Sequence, residues 1–319
     1  MRTIVTGAAG FLGYYIADQL SRDPEVFVTC VDNMSRGVAD SHYLNLCERP
    51  NVARLDIDLT DPVQVAQLPL DADVIFHMAA LNGTQNFYEK PFEVVRSCTL
   101  PTLFIIEHLG RNGVKPRFIF AGTSEVYAAA VTRFNWPVPT NEEVPLCIDD
   151  AYNPRWSYGA SKLHGEVVTI NGCGNFQIPF TIVRYHNAYG PRMGDKHVIP
   201  DFLERAKLNV FELYGGVETR SFLYADDAAT ATIALSVHPN SIGETIHLGG
   251  EREVTMTELA QLIMNECGME GELVVHPAPP GSVARRCPDT KKARNILGEF
   301  EKISLEEGLR RTAGFYLPI

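Results

Sequence analysis

The sequence predicts an α/β protein, a doubly wound parallel sheet followed by a smaller C-terminal domain. Three observations predict it. The first half alternates short apolar runs with helical patterns, a glycine-rich turn joins the first run to the first helix, and the alternation loses its regularity after about Tyr185. Strands separated by helices imply parallel pairing through right-handed crossovers.

Taken in order, Thr3–Val5, Val26–Val31, Val52–Leu55, Val74–Phe76, Phe118–Phe120 and Phe180–Val183 read as strands. Phe11–Leu20, Phe92–Leu109 and Tyr158–Ile170 read as helices between them. Further on, helical patterns are expected at Ile199–Lys207, Ala225–Val237, Thr257–Cys267, Thr290–Leu297 and Leu305–Ala313. Gly190-Pro191, Gly215-Gly216 and the stretch from Pro277 through Gly281 punctuate that part. The expected division is residues 1–184 as the first domain and 185–319 as mainly the second, with 225–250 returning to the first.

Hydrophobic residues make up 45% of the 319 positions, enough to core one large domain or two smaller ones. Lys plus Arg (28) against Asp plus Glu (39) leaves a formal charge of −11, which disfavours nucleic acid and anionic membranes as partners. A small anionic ligand stays possible where a few arginines gather. The first residues read as a strand with no targeting pattern before it, and no apolar run reaches membrane-spanning length. Seven scattered cysteines without a C-x-x-C pair fit a reducing cytoplasm. Nine histidines show no ligand spacing, so no metal site is expected.

Thr6-Gly7-Ala8-Ala9-Gly10-Phe11-Leu12-Gly13 lies directly between a strand and a helix. There Gly7 permits a tight turn, Gly10 lets a pyrophosphate approach the backbone, and Gly13 lets helix and strand pack closely. The helix then offers its first N–H groups to phosphate oxygens. This is the signature of a Rossmann-type dinucleotide site. Asp32, at the end of the second strand, can accept bonds from both adenosine ribose hydroxyls and repels a 2′-phosphate, which favours NAD over NADP. Arg36 nearby softens that preference. Asp58, after the third strand, is a candidate adenine contact, and the small residues of Phe76-His77-Met78-Ala79-Ala80 leave room for a cofactor.

Tyr158 and Lys162 stand four apart on a helical pattern and therefore share a face. An ammonium beside a phenol, whose ordinary pKa is about 10, favours the phenolate and moves the group toward service as a base. Such a base takes a hydroxyl proton while hydride leaves the same carbon. Thr123, Ser124 and Glu125 follow a strand, at the carboxyl edge where open α/β sheets bind ligands. A hydroxyl from Thr123 or Ser124 could hold the reacting oxygen, and Glu125 could move a proton beside the oxidised carbon.

In this order, T-G-x-x-G-F-L-G, an aspartate after the second strand, H-M-A-A, T-S-E-V-Y, Y-x-x-x-K and R-Y-H-N-A-Y-G-P-R resemble the extended short-chain dehydrogenases/reductases, in particular their NAD-dependent nucleotide-sugar epimerase/dehydratase members. The resemblance runs from Arg2 to about Leu309. It implies an NAD-binding Rossmann domain and a nucleotide-sugar-binding C-terminal domain, with Tyr158 and Lys162 as catalytic pair assisted by Thr123 or Ser124. For NAD it implies contacts from Gly7, Gly10, Phe11, Leu12, Asp32, Asn33, Ser35, Arg36, Asp58, Leu59, Met78, Ala79, Ala80, Tyr158, Lys162 and Tyr185. For a nucleoside-diphosphate sugar it implies Asn187 at the diphosphate, Arg220 at the diphosphate or nucleotide, Val198 and Ile199 at the nucleobase, Arg286 at the sugar or phosphate end, and Thr84 as a further substrate contact. Arg192 joins these among the arginines concentrated in the second half, whose planar forks suit diphosphate oxygens. The resemblance also implies a homodimer through the helices near Phe92–Leu109 and Tyr158–Ile170. Departures are Ala128 where glycine is common, the long stretch Thr132–Pro139, Met78, and His186 in place of phenylalanine.

Family members of this kind oxidise sugar C4 transiently. Epimerase, dehydratase and decarboxylase outcomes all remain open. Epimerisation needs no Glu125, so its presence pulls toward dehydration or decarboxylation. Dehydratases often carry an Asp–Glu pair, whereas Ser124 precedes Glu125 here. Decarboxylase-like members share T-S-E-V-Y and a late arginine before proline, approximated by Arg286 and Pro288. The alternatives are a net nucleotide-sugar dehydrogenase or reductase and, lastly, a non-catalytic dinucleotide sensor.

Overall fold

A computed structural model describes residues 1–194, 197–278 and 283–317. Of the Pro277–Gly281 punctuation, Pro279, Pro280 and Gly281 lie outside the described residues. The first half runs β1 (Arg2–Thr6), α1 (Phe11–Leu20), β2 (Phe27–Val31), α2 (Ser41–Cys47), β3 (Val52–Leu55), α3 (Pro62–Val65), β4 (Val74–His77), α4 (Thr84–Glu89), α5 (Pro91–Arg111), β5 (Arg117–Thr123), α6 (Ala128–Phe134), α7 (Ser157–Phe176) and β6 (Phe180–Tyr185). The remainder runs β7 (Ala188–Tyr189), α8 (Val198–Ala206), β8 (Glu212–Tyr214), β9 (Thr219–Ser221), β10 (Leu223–Tyr224), α9 (Ala225–Val237), β11 (Glu244–Leu248), β12 (Glu253–Thr255), α10 (Met256–Glu266), β13 (Val274–His276), β14 (Arg285–Arg286), α11 (Lys291–Leu297) and α12 (Leu305–Tyr316).

Seven strands form one parallel sheet in the order β11-β6-β5-β4-β1-β2-β3. The order reverses between β1 and β4, which opens a crevice at the carboxyl edge. Alternate residues feed opposite faces. Val5, Phe76 and Ile119 join the core under α1 and α9, while Ile4, Ile75, Phe118 and Phe120 join the core under α5 and α7. Burial on both faces explains why these strands are apolar at consecutive positions rather than alternating.

Helix α7 extends six residues beyond the expected Ile170, through Asn171, Gly172, Cys173 and Gly174. Gly172 faces α5, and a Cβ there would stand 2.9 Å from Ile106 Cγ2, so the missing side chain permits close helix packing. The stretch Thr132–Pro139, expected as a loop, begins as the last turn of α6. It then turns at Asn135, which has φ 52°, and Thr140 bridges Pro288.

A second core lies beyond β6. Ile199, Phe202, Leu203 and Ala206 form the buried stripe of α8 and meet Leu259 and Ile263 of α10 and Leu309 of α12. Three small sheets surround it: β10-β7, β12-β9-β14 and β13-β8. Meanwhile α9 packs on α1, and β11 takes the edge of the large sheet. Among the described residues no helix is long and apolar enough to cross a membrane.

Candidate active site

A cleft of about 450 Å³ follows the carboxyl edge of the sheet. Its floor is built by backbone. Gly7 has φ +70°, and a Cβ at that position would lie 2.8 Å from Ala79 Cα, so only glycine lets the β1–α1 turn sit against the end of β4. Gly10 caps α1 without any side-chain cap, which leaves first-turn N–H groups available to a phosphate. Asp32 ends the wall formed by β2; its carboxylate accepts from Ala9 N at 3.0 Å and Met34 N at 2.9 Å. Phe11, Leu12, Asn33, Ser35, Arg36, Asp58, Leu59, Met78, Ala79, Ala80 and Tyr185 complete this half of the lining. Asp58 also accepts from Thr60 N and Thr60 Oγ1 through one oxygen, so it shapes its own turn while facing the cleft. This cradle, with a carboxylate at the ribose position, fits NAD. When bound, NAD supplies a reversible hydride acceptor.

The other half of the cleft gathers the candidate chemical groups. Thr123, Ser124 and Glu125 leave β5 in a 3-10 turn, with Thr123 Oγ1 accepting from Glu125 N at 3.3 Å. Tyr158 and Lys162 reach the cleft from the first turns of α7, with Thr84, Asn187 and Arg286 also lining it. Lys162 is buried, donates to Ala121 O at 2.8 Å and lies 4.8 Å from the Phe120 ring centroid. Burial lowers its pKa. The Tyr158 phenol differs from expectation. Burial raises its pKa, Cys98 and Glu125 add to the rise, and only Arg36 and a hydrogen bond with Thr123 oppose it. In the protein alone, desolvation outweighs the cationic help assigned to Lys162.

Glu125 sits between two guanidiniums. Arg286 Nη1 donates to Oε1 at 2.9 Å, and Arg155 Nη2 donates to the same oxygen at 3.0 Å and lies 2.8 Å from Oε2. Burial opposes ionisation, but Arg286 and Arg155 overcome it and hold the carboxyl at about 2. At neutral pH Glu125 is therefore an anion. Behind this group, His186 and His247 are fully buried; Tyr127 Oη lies 3.1 Å from His186 Nε2, and His247 Nδ1 lies 3.1 Å from Thr140 O.

Four expected substrate residues stand elsewhere. Arg192 ion-pairs with Asp40, donates to Ala9 O at 3.1 Å and lies 4.2 Å from the Tyr14 ring centroid, so its charge is spent bracing the glycine turn. Ile199 is wholly buried in the second core, and Val198 packs against that core, because both fall on or beside the apolar stripe of α8. Arg220 is outside the lining and donates to Thr219 O at 2.7 Å. Burial and then the like charge of Arg286 lower its pKa to about 10.

Sequence reasoning missed Arg155 and Phe87. Phe87 stacks on Tyr158 with ring centroids 5.2 Å apart, and Arg155 lies over Phe87 at 5.5 Å. Arg155 precedes Tyr158 by three positions, a helical spacing that could have flagged it.

The chain matches the model of the "NAD dependent epimerase/dehydratase family" over residues 3–249. It is 32% identical to the UDP-N-acetyl-alpha-D-glucosaminuronate decarboxylase of Bacillus cytotoxicus, covering 100% of this chain and 98% of that one. It is 28% identical to UDP-glucuronic acid decarboxylase 1 of Xenopus tropicalis, covering 99% of this chain and 72% of that one. Among solved structures, the UDP-glucuronic acid 4-epimerase of Bacillus cereus in complex with UDP-glucuronic acid and NAD superposes with a TM-score of 0.87 at 25% identity, covering 99% of both chains. The UDP-glucose 4-epimerase of Thermotoga maritima gives 0.85 at 28%, covering 99% of this chain and 98% of that one. The glycine cradle, the Tyr–Lys pair and these likenesses agree: the chain belongs to the NAD-dependent epimerase/dehydratase family of extended short-chain dehydrogenases/reductases and is an NAD-dependent enzyme of nucleotide sugars.

Proposed function

We propose that the protein decarboxylates a UDP-linked uronic acid through transient oxidation at sugar C4. The observation that carries this reading is the pair of arginines on Glu125 beside Tyr158. Two guanidiniums against one carboxylate leave a unit of positive charge at the sugar end of the cleft, and a uronate carries the matching anion at C6. A neutral hexose leaves that charge uncompensated in a partly desolvated site.

In this reading Tyr158 accepts the 4-hydroxyl proton as hydride leaves C4, with Thr123 holding the oxygen; bound NAD and Lys162 would supply the positive charge that favours its phenolate against the burial that raises its pKa. Lys162 keeps a positive charge near the phenol. Its tie to Ala121 O fixes the ammonium on the β5 side. The resulting 4-keto uronate is a β-keto acid. Its C5–C6 bond breaks, carbon dioxide leaves, and the electron pair moves to the 4-carbonyl oxygen as an enolate. C5 then takes a proton from water or an acid in the cleft, and hydride return to C4 restores the alcohol as Tyr158 gives its proton back. Glu125, anionic throughout, orients the arginines and keeps the C6 anion from sinking too deeply into them. Asn187 serves the substrate diphosphate, Thr84 contacts the substrate, and residues 185–319 form mainly the substrate domain.

The same reading takes the protein as a cytoplasmic homodimer. Its seven cysteines are all free, as in a reducing compartment. Phe92 and Val95 on α5 and Val167 and Ile170 on α7 are exposed and apolar, which suits a self-complementary helical interface. A sedimentation mass equal to one chain would remove the dimer.

The test is incubation of the NAD-loaded protein with UDP-glucuronate, and separately with its 2-acetamido analogue, in heavy water. The expected products are carbon dioxide and a UDP-pentose bearing deuterium at C5, with no net NADH. Recovery of a 4-epimer that retains its carboxylate, or of stoichiometric NADH, overturns the decarboxylase reading.

A further inference from the structure

The two arginines on Glu125 are held in different ways. Arg155 rises from the turn just before α7 and is wedged between rings, 5.5 Å from the Phe87 centroid and 5.4 Å from that of Trp156. Its Nη2 donates to Glu125 Oε1 and lies 2.8 Å from Oε2, and its Nη1 is buried without a hydrogen-bond partner. Arg286 arrives from β14, on the other side of the cleft, and gives Glu125 one bond through Nη1. The like charge of Arg220 is felt across the gap between the two guanidiniums. Thus Arg155 is held by two rings as well as by Glu125, whereas Arg286 meets Glu125 through a single bond.

We propose that Arg155 is a standing counter-ion for Glu125 that leaves Arg286 free to receive the substrate's carboxylate, which makes Arg155 a positioning residue that sets selectivity for uronates. The inference rests on the uronate reading above. It has a consequence that simple charge loss does not. Without Arg155, Glu125 has Arg286 as its sole partner and holds it more tightly, so Arg286 is withheld from the substrate although untouched. Neutralising Glu125 as well releases it. Removing one charge therefore weakens uronate binding, and removing a second, opposite charge restores it.

The measurement is the ratio of dissociation constants for UDP-glucose and UDP-glucuronate on the NAD-loaded enzyme, with UDP alone as the control for an intact nucleotide site. Wild type favours the uronate. Arg155→Gln is expected to lower the ratio about tenfold, a cost of about 1.4 kcal/mol. Arg155→Met, which keeps a long side chain against Phe87 and Trp156, should do the same. Arg155→Lys should keep most of the selectivity, and Arg155→Gln/Glu125→Gln should recover most of what Arg155→Gln loses. An unchanged ratio in Arg155→Gln and Arg155→Met, or a double variant no better than the single, overturns the role of Arg155 while leaving the uronate reading standing. A wild type with no preference for the uronate overturns both.

Discussion

The two halves of the cleft are built by different means. The dinucleotide half is a product of backbone: a glycine at φ +70°, an uncapped helix start and strand ends set by parallel register. Its parts lie within short segments of chain. The sugar half is a product of side chains that meet from far apart, as Glu125 and Arg286 do across 161 positions. Backbone geometry tolerates little variation and supports one cofactor. Side-chain charge can be exchanged without disturbing the sheet, so substrate choice is placed where it can change.

The comparison predicts that damage to the two halves separates cleanly. The largest effect is expected from Tyr158→Phe, where the two halves meet. Loss of the proton acceptor should lower kcat about 10²–10⁴-fold, the usual contribution of a general acid–base group. Retained NAD, measured by release on denaturation, should be unchanged. Turnover at the wild-type rate would remove Tyr158 from the chemistry, and loss of NAD would mean that the halves do not separate there.

Next comes Arg286→Leu. Both partners of this ion pair are nearly buried, with side-chain exposures of 14% and 12%. Removing the cation leaves Glu125 with Arg155, so the fold should survive. The expected cost is about 2–3 kcal/mol in uronate binding, or about 10²-fold, with NAD affinity intact. Equal losses for UDP-glucose and UDP-glucuronate would show that Arg286 serves the diphosphate rather than the sugar.

These residues also show what the sequence could convey. The strands, the glycine turn and the Tyr–Lys spacing were legible because each is a local pattern. Glu125 and Arg286 were legible singly, but their pairing was not, because nothing local brings β14 to the end of β5. Arg155 is hard to read from sequence, because an arginine at a helix start ordinarily faces water. Ile199 shows the reverse case. Its own periodicity with Phe202, Leu203 and Ala206 marks a buried stripe, and the resemblance placed it at a nucleobase. The rise in the Tyr158 pKa was also out of reach, since spacing reveals a neighbouring cation but not the depth of burial.

An effect on stability rather than on binding is expected with pH. Burial lowers the pKa of His77 and His247 to about 3, and that of His186 well below its ordinary value. The unfolded chain binds these protons near pH 6.5 and the folded protein does not. Stability is therefore full above about 6.5 and lost as pH falls toward 3, by about 1.4 kcal/mol per pH unit for each histidine. His247→Asn should flatten the fall in urea midpoint between pH 6.5 and 4 by one such share. An unchanged slope would mean that His247 is protonated in the folded protein. Glu125 acts lower on the scale: its contribution is present above about 4.5 and fades as pH falls through about 2.

The smallest effect is the most direct challenge to the division into halves. Arg192 belongs to the second half by sequence, yet its guanidinium is committed to Asp40 at the start of α2 and to the carbonyl of Ala9 in the glycine turn. Its work is then cofactor-side bracing. Arg192→Met keeps a long side chain against Tyr14 while removing the charge, and should cost about 1 kcal/mol of stability. NAD retention should fall severalfold, because the turn that faces the pyrophosphate loses a tether. The UDP-glucose to UDP-glucuronate affinity ratio should stay at its wild-type value. If the variant keeps its NAD and loses uronate affinity instead, Arg192 must leave Asp40 for the substrate during turnover, and the boundary between the halves would run through that ion pair rather than beside it.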